Sequence, residues 1–277
     1  MKSLLNISLL LIAAIIIQSC DKVDPPYKKD AVVLSGERKV LVEEFTGHKC
    51  GNCPRAAKAL QDLKALYGDN LIIISIHAGS FATVFPPAAG FYFYDFRNPV
   101  STALYTDFGI NTNPAGMVNR QEINGSPILS STKWAEEINS VLTATDPVPV
   151  KMTISNDYDS FTRQLQTSVT TEYYSTLSGS YKLCVFMVED SIVNWQTDYD
   201  VQPNDVPDYV HRDVLRGSMN GTYGDPVTET IEGNIKTMNF SAAIDTAWND
   251  QQFSVVAFLY NESTKEIIQV EEEHVEP

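Results

Sequence analysis

Cys50 and Cys53 are separated by two residues and stand where an apolar run gives way to a helical pattern. Two cysteines at this spacing can close a tight disulfide. Where they open a helix, the partial positive charge of its N-terminus lowers the pKa of the exposed thiol from about 8.5 toward roughly 7. Such a thiolate attacks disulfides. The same spacing is also half of many zinc sites, and Cys50, Cys53, His48 and His77 are one conceivable ligand set, although adjacent strand ends leave little freedom for a tetrahedron. His48 and Lys49 either lower the thiol pKa through positive charge or are ordinary loop residues facing solvent. His77 closes an apolar run at the edge where open α/β sheets place their sites, and a satisfied structural histidine is the plainer reading. Asp198, Asp200, Asp205 and Asp208 crowd one stretch but match no EF-hand spacing, so an ordinary acidic loop is expected there. No metal and no cofactor are implied.

The elements that must position these groups follow from periodicity. Lys39 to Phe45 reads as a buried strand ending at Thr46-Gly47, and the CxxC follows at once. Pro54 suits the first turn of a helix, and Ala57, Leu60, Leu63 and Tyr67 recur at helical spacing up to Gly68. Asn70 to His77 is a continuous apolar run of the kind found in parallel strands covered on both faces, which completes a βαβ unit. Ala78 to Pro99 is rich in aromatics and reads as an insertion, with Phe81 to Phe96 able to cover the cysteines. A helix from Val100 to Phe108, a strand from Ala115 to Arg120 and a helix from Thr132 to Leu142 close the unit.

Asp146-Pro147-Val148-Pro149 marks a boundary, beyond which the pattern changes. Residues 151–155, 165–171, 181–188, 236–240 and 253–261 read as strands without helical period between them. Cys184, inside one of these runs, reads as a small buried hydrophobe. The acidic end Glu271-Glu272-Glu273-His274 reads as a solvated tail. The expected fold class is an α/β domain over 39–145 followed by an all-β, Ig-like sandwich over 146–277.

At the N-terminus, Lys2 precedes an apolar run from Leu4 to Ile17, and Ile17-Gln18-Ser19-Cys20 resembles a bacterial lipobox. Residues 1–19 are then a cleaved signal peptide, Cys20 is lipidated, and 20–38, with Pro25-Pro26, is a tether. An uncleaved membrane helix is the alternative, at the lower edge of the length that spans a bilayer. Cleavage removes one positive charge, taking the formal net charge from -15 to -16. With only 20 Lys and Arg, no basic stripe is available for phosphates, so nucleic acid is excluded as a partner. The expected location is the cell envelope, lipid-anchored, in the outer membrane.

Val42-Glu43-Glu44-Phe45 through Cys50-Gly51-Asn52-Cys53 resembles the strand and redox helix of the thioredoxin superfamily, over about Lys39 to Ala144. The resemblance implies a thioredoxin-like first domain, Cys50 as nucleophile and Cys53 as resolving thiol. It also implies Glu44 in the place of a buried acid that helps deprotonate the resolver, and Pro114 as a cis-proline facing the disulfide. Lys49 and Asn52 depart from that family's pattern. Tyr209-Val210-His211-Arg212-Asp213-Val214-Leu215-Arg216-Gly217, with Gly221 and Gly224, resembles a segment of the twenty-eight-kilodalton outer membrane protein family of Bacteroidetes lipoproteins. There His211, Arg212 and Arg216 offer donors to an anionic ligand, or serve conformation beside the glycines. Two functions follow. One is a membrane-anchored thiol–disulfide oxidoreductase acting on envelope proteins with disulfides or thiols. The other is a non-catalytic surface binding or adhesion lipoprotein with a structural CxxC disulfide. Accessibility of Cys50 separates them.

Overall fold

The computed structural model describes residues 37–276, so Cys20, the signal segment and all but the last two residues of the expected tether lie outside the described residues. Two parallel strands start the described chain. β1 (Val40–Thr46) and β2 (Leu71–His77) are buried along their whole length, with Val40 opposite Leu71 and Thr46 opposite His77. Between them α1 (Cys53–Tyr67) carries Pro54 in its first turn, where the missing N–H costs nothing, and ends at Gly68, whose φ of 57° suits glycine. α2 (Pro99–Asp107) is fixed by a capping box: Asn98 Oδ1 accepts from the Ser101 N–H at 2.9 Å, and Ser101 Oγ accepts from the Asn98 N–H at 3.0 Å. β3 (Ala115–Val118) pairs antiparallel with β1, and α3 (Ser131–Leu142) brings Trp134, Ile138 and Leu142 into the same core.

Farther along, β4 (Val150–Asp159), β5 (Gln164–Tyr173) and β11 (Ile235–Ala243) form a three-stranded antiparallel sheet. β6 (Tyr181–Glu189), β9 (Val214–Ser218), β12 (Phe253–Asn261) and β13 (Ile267–His274) take another course: they join the first strands in the order β13-β12-β6-β9-β2-β1-β3. β10 (Asp225–Val227) pairs with β6 as the eighth strand. The seam is Ser75 of β2 beside Val214 of β9, where the Ser75 N–H donates to the Asp213 carbonyl at 2.7 Å. β7 (Ile192–Thr197) and β8 (Asp205–His211) stand apart as a hairpin.

One face of the large sheet is a single core, in which Leu41, Ile72 and Ile74 are continuous with Phe186, Leu215 and Phe258. The other face has two covers. α1 and α3 lie over β1 and β2, while the three-stranded sheet packs on β6 and β12.

This corrects the expected fold class of an α/β thioredoxin-like domain followed by an Ig-like all-β sandwich. The described residues hold more strand than helix, with three α-helices, and one mixed sheet carries elements of both sequence halves. The physical reason is pairing at long range: β2 needs a neighbour on its second edge and finds it in β9. The unbroken apolar run Leu183 to Val188 was itself a sign of a strand covered on both faces, unlike the alternating pattern of β4.

The acidic end is a second correction. Residues 271–274 are the last part of β13, with Glu273 opposite Val255 of β12, and Lys39 and Lys64 form ion pairs with Glu271 and Glu272.

Candidate functional site

A disulfide joins Cys50 and Cys53 where the loop after β1 enters α1. Each cysteine is only 2% exposed. The β7–β8 hairpin packs on the cysteine loop, together with the aromatic insertion. Gln196 Nε2 donates to the Cys50 carbonyl at 3.0 Å, the Thr197 N–H to the His48 carbonyl at 2.8 Å, and the Tyr199 N–H to the Gly51 carbonyl at 2.9 Å. The Tyr199 ring lies against the Cα of Gly51. Arg55 of α1 holds the Asp200 carboxylate through two nitrogens, Nε at 2.9 Å, which ties the hairpin loop to the helix. The insertion packs beside the same loop, its Phe81 carbonyl accepting from the Lys49 N–H at 3.0 Å.

The acidic stretch of this loop is already engaged. Asp198 accepts from the Asp200 N–H at 2.9 Å, and Asp205 accepts from the Tyr92 hydroxyl at 2.6 Å. Among the described residues, no group of three or more His, Cys, Asp or Glu side chains is placed to hold a metal ion.

Beside the disulfide, a cleft of about 460 Å³ opens between α1 and β8, lined by Glu44, Cys53, Ser75, His77, Tyr209 and His211 among others. Side chains two apart on a strand share a face, so the register of β1 and β2 gathers Glu44, Thr46, Ser75 and His77 on one side of otherwise apolar strands. Glu44 is 1% exposed. Burial pushes its carboxyl up to about 8, against a hydrogen bond from Ser75 Oγ at 3.4 Å and with further upward pressure from Asp213. Glu44 Oε1 has no hydrogen-bond partner among the described residues. Asp213 is itself pushed up to about 7, by burial first and then by Asp190 and Glu272.

The histidines are held neutral. Burial lowers His77 well below its ordinary value and takes His211 down to about 3. His77 stacks on Phe96 with ring centroids 4.5 Å apart, and its buried Nδ1 has no partner among the described residues. His48 is lowered by burial as well, with Nε2 3.1 Å from the Thr83 carbonyl oxygen. Lys49 donates to Thr83 Oγ1 at 2.6 Å and sits 4.7 Å from the Phe85 ring centroid.

The structure brings Cys53, Glu44, His77, His211 and Arg212 to one cleft. It does not bring Arg216 there: that guanidinium pairs with Glu189 at 3.2 Å and lies over the Trp248 ring. Arg212 pairs with Asp190 at 3.0 Å. The Asn113–Pro114 bond is cis. Cys184 is buried within β6, its thiol pushed up to about 12 by burial.

Sequence reasoning missed Gln196 and Tyr199, which carry no motif and matter only because the hairpin folds back on the disulfide. It also missed the buried pair of Glu43 and Arg120, whose two nitrogens each lie 2.6 Å from a carboxylate oxygen. The signal available was a second glutamate inside an apolar strand.

No curated protein sequence matches the chain. Among solved structures, HBP35 of Porphyromonas gingivalis superposes with a TM-score of 0.67 at 17% identity, covering 86% of this chain and 76% of that one. Protein AGR_C_4864 from Agrobacterium tumefaciens superposes with a TM-score of 0.51 at 14% identity, covering 87% of this chain and 97% of that one. At such identities the likeness is one of fold alone. The family model described as Outer membrane protein Omp28 matches residues 101–277, from α2 to the end and including the hairpin that covers the disulfide. The chain therefore belongs to the Omp28 family of outer membrane proteins, whose location is the one expected from its sequence.

Proposed function

We propose that this protein is a lipid-anchored outer membrane protein that binds rather than catalyses, in which the Cys50–Cys53 disulfide clamps the start of α1. The observation that carries this reading is burial: both cysteines are 2% exposed, with Gln196 on the Cys50 carbonyl and the Tyr199 ring on Gly51 between them. Thiol–disulfide exchange needs the attacking sulfur to meet a partner's disulfide in line, and that requires access. Glu44 on this reading serves the cleft rather than a resolving thiol, and Cys20 supplies the acyl anchor.

Substitution Cys53→Ser tests it in cells of the parent organism. A structural disulfide traps no mixed disulfide with envelope proteins. Recovery of covalent partners through Cys50 would instead establish the exchange reaction. Cys20→Ala should separately abolish acyl labelling and membrane retention.

A further inference from the structure

We propose that the cleft between α1 and β8 binds a small organic cation, a ligand bearing a primary ammonium group, through the carboxyl of Glu44, the ring nitrogen of His77 and the ring of Tyr209. The proposal deepens the binding reading above and rests on it.

Two buried polar atoms of residues lining this cleft, Glu44 Oε1 and His77 Nδ1, have no partner among the described residues. Native structures rarely leave such atoms unpaired, because each forfeits a hydrogen bond that water would have made. They lie on the shared face of β1 and β2, at the carboxyl ends of parallel strands, where open sheets leave room for ligands.

Charge selects the ligand class. The three basic side chains lining the cleft already have acidic partners: Arg55 with Asp200, Lys58 with Asp62 and Arg212 with Asp190. His77 and His211 stay uncharged. The Asp213 carboxyl accepts from the Gln61 amide at 3.0 Å, feels the charge of Lys64, and disfavours ionisation of Glu44. Among the described residues Glu44 therefore has no cationic partner, and an ammonium ligand would supply the charge that lets its buried carboxyl ionise. An ammonium group donates three hydrogen bonds, which suit Glu44 Oε1 and His77 Nδ1, and an aromatic ring such as Tyr209 attracts cations. The volume of about 460 Å³ admits a small molecule and little more.

Binding an ammonium ion ionises Glu44, so a proton is released to solvent as the cation enters. Calorimetry on the full mature protein in detergent, with the disulfide intact, reads both quantities with benzylamine as probe and benzyl alcohol and benzoate as uncharged and anionic controls. Benzylamine should bind about ten-fold or more tighter than benzyl alcohol. Titrations in phosphate and in Tris near pH 7 should differ by the heat of close to one proton released. The affinity should rise with pH through the range of about 7 to 8, then level off. Glu44→Gln mimics the neutral acid and keeps the fold; it should abolish the preference for the amine and most of the proton release. Equal binding of benzyl alcohol, preference for benzoate, absence of proton release, or no binding of benzylamine and methylamine alike would each overturn the proposal. Trapping through Cys53→Ser is a separate experiment, so failure of the cation reading and failure of the structural-disulfide reading are distinguishable.

Discussion

The ring of Tyr199 rests on Gly51 so closely that a Cβ at that position would stand 2.4 Å from the ring carbons. Real Cβ atoms do not approach that near, so any side chain at this position requires the Tyr199 ring to move. Gly51→Ala should push Tyr199 and its loop outward, with overpacking costing about 1–3 kcal/mol. Native-state reduction by a phosphine should accelerate in the same variant while far-UV circular dichroism stays unchanged. Unaltered reduction kinetics would remove Tyr199 as the cover.

Glu43 and Arg120 form a bidentate ion pair inside the large core, with the guanidinium 5.0 Å from the ring centroids of both Phe108 and Phe258. Removing one partner leaves a buried charge alone. Arg120→Met should therefore cost about 3–5 kcal/mol in urea denaturation. Adding Glu43→Met should recover most of that loss, since the apolar pair has no charge to bury. A double variant no more stable than the single one would contradict the buried-charge explanation.

Stability should pass through a maximum near about pH 6.5, because two sets of groups act in opposite senses. Glu44 and Asp213 hold protons in the folded state up to about 8 and about 7, so their contribution is full at low pH and is lost as pH rises through those values. His48, His77 and His211 are held neutral, so theirs is full above the ordinary histidine value and is lost as pH falls below it. Glu44→Gln should flatten the alkaline limb and move the maximum upward. Thermal melts across the range check this; an alkaline limb identical in the variant would assign it elsewhere.

Local structure was largely legible in the sequence, and long-range pairing was not. The runs from Lys39 to Phe45 and from Asn70 to His77 became β1 and β2, and Pro54 and Gly68 bracket α1 as their backbone preferences require. What periodicity cannot say is which strand edge meets which. Ser75 beside Val214 joins residues from opposite halves of the chain, and no local signal at either position announces it. β13 was hidden because Glu271 to Glu273 read as polar, although they lie along a paired strand with lysines in reach. The candidate site was half legible. Glu44, Cys50, Cys53 and His77 stand out by type and position, whereas their cover comes from Gln196 and Tyr199 in a hairpin of unremarkable composition.

The most direct test of the structural disulfide is the alkylation rate of Cys50 after gentle reduction of the folded protein. With the hairpin in place, iodoacetamide near pH 7 should modify Cys50 no faster than the protein opens, at least about a hundred-fold more slowly than a free model thiol, and Tyr199→Ala should raise that rate. Alkylation of Cys50 in the folded, reduced protein at or above the rate of a free thiol, unaffected by Tyr199→Ala, would show a reachable thiolate and contradict the structural assignment.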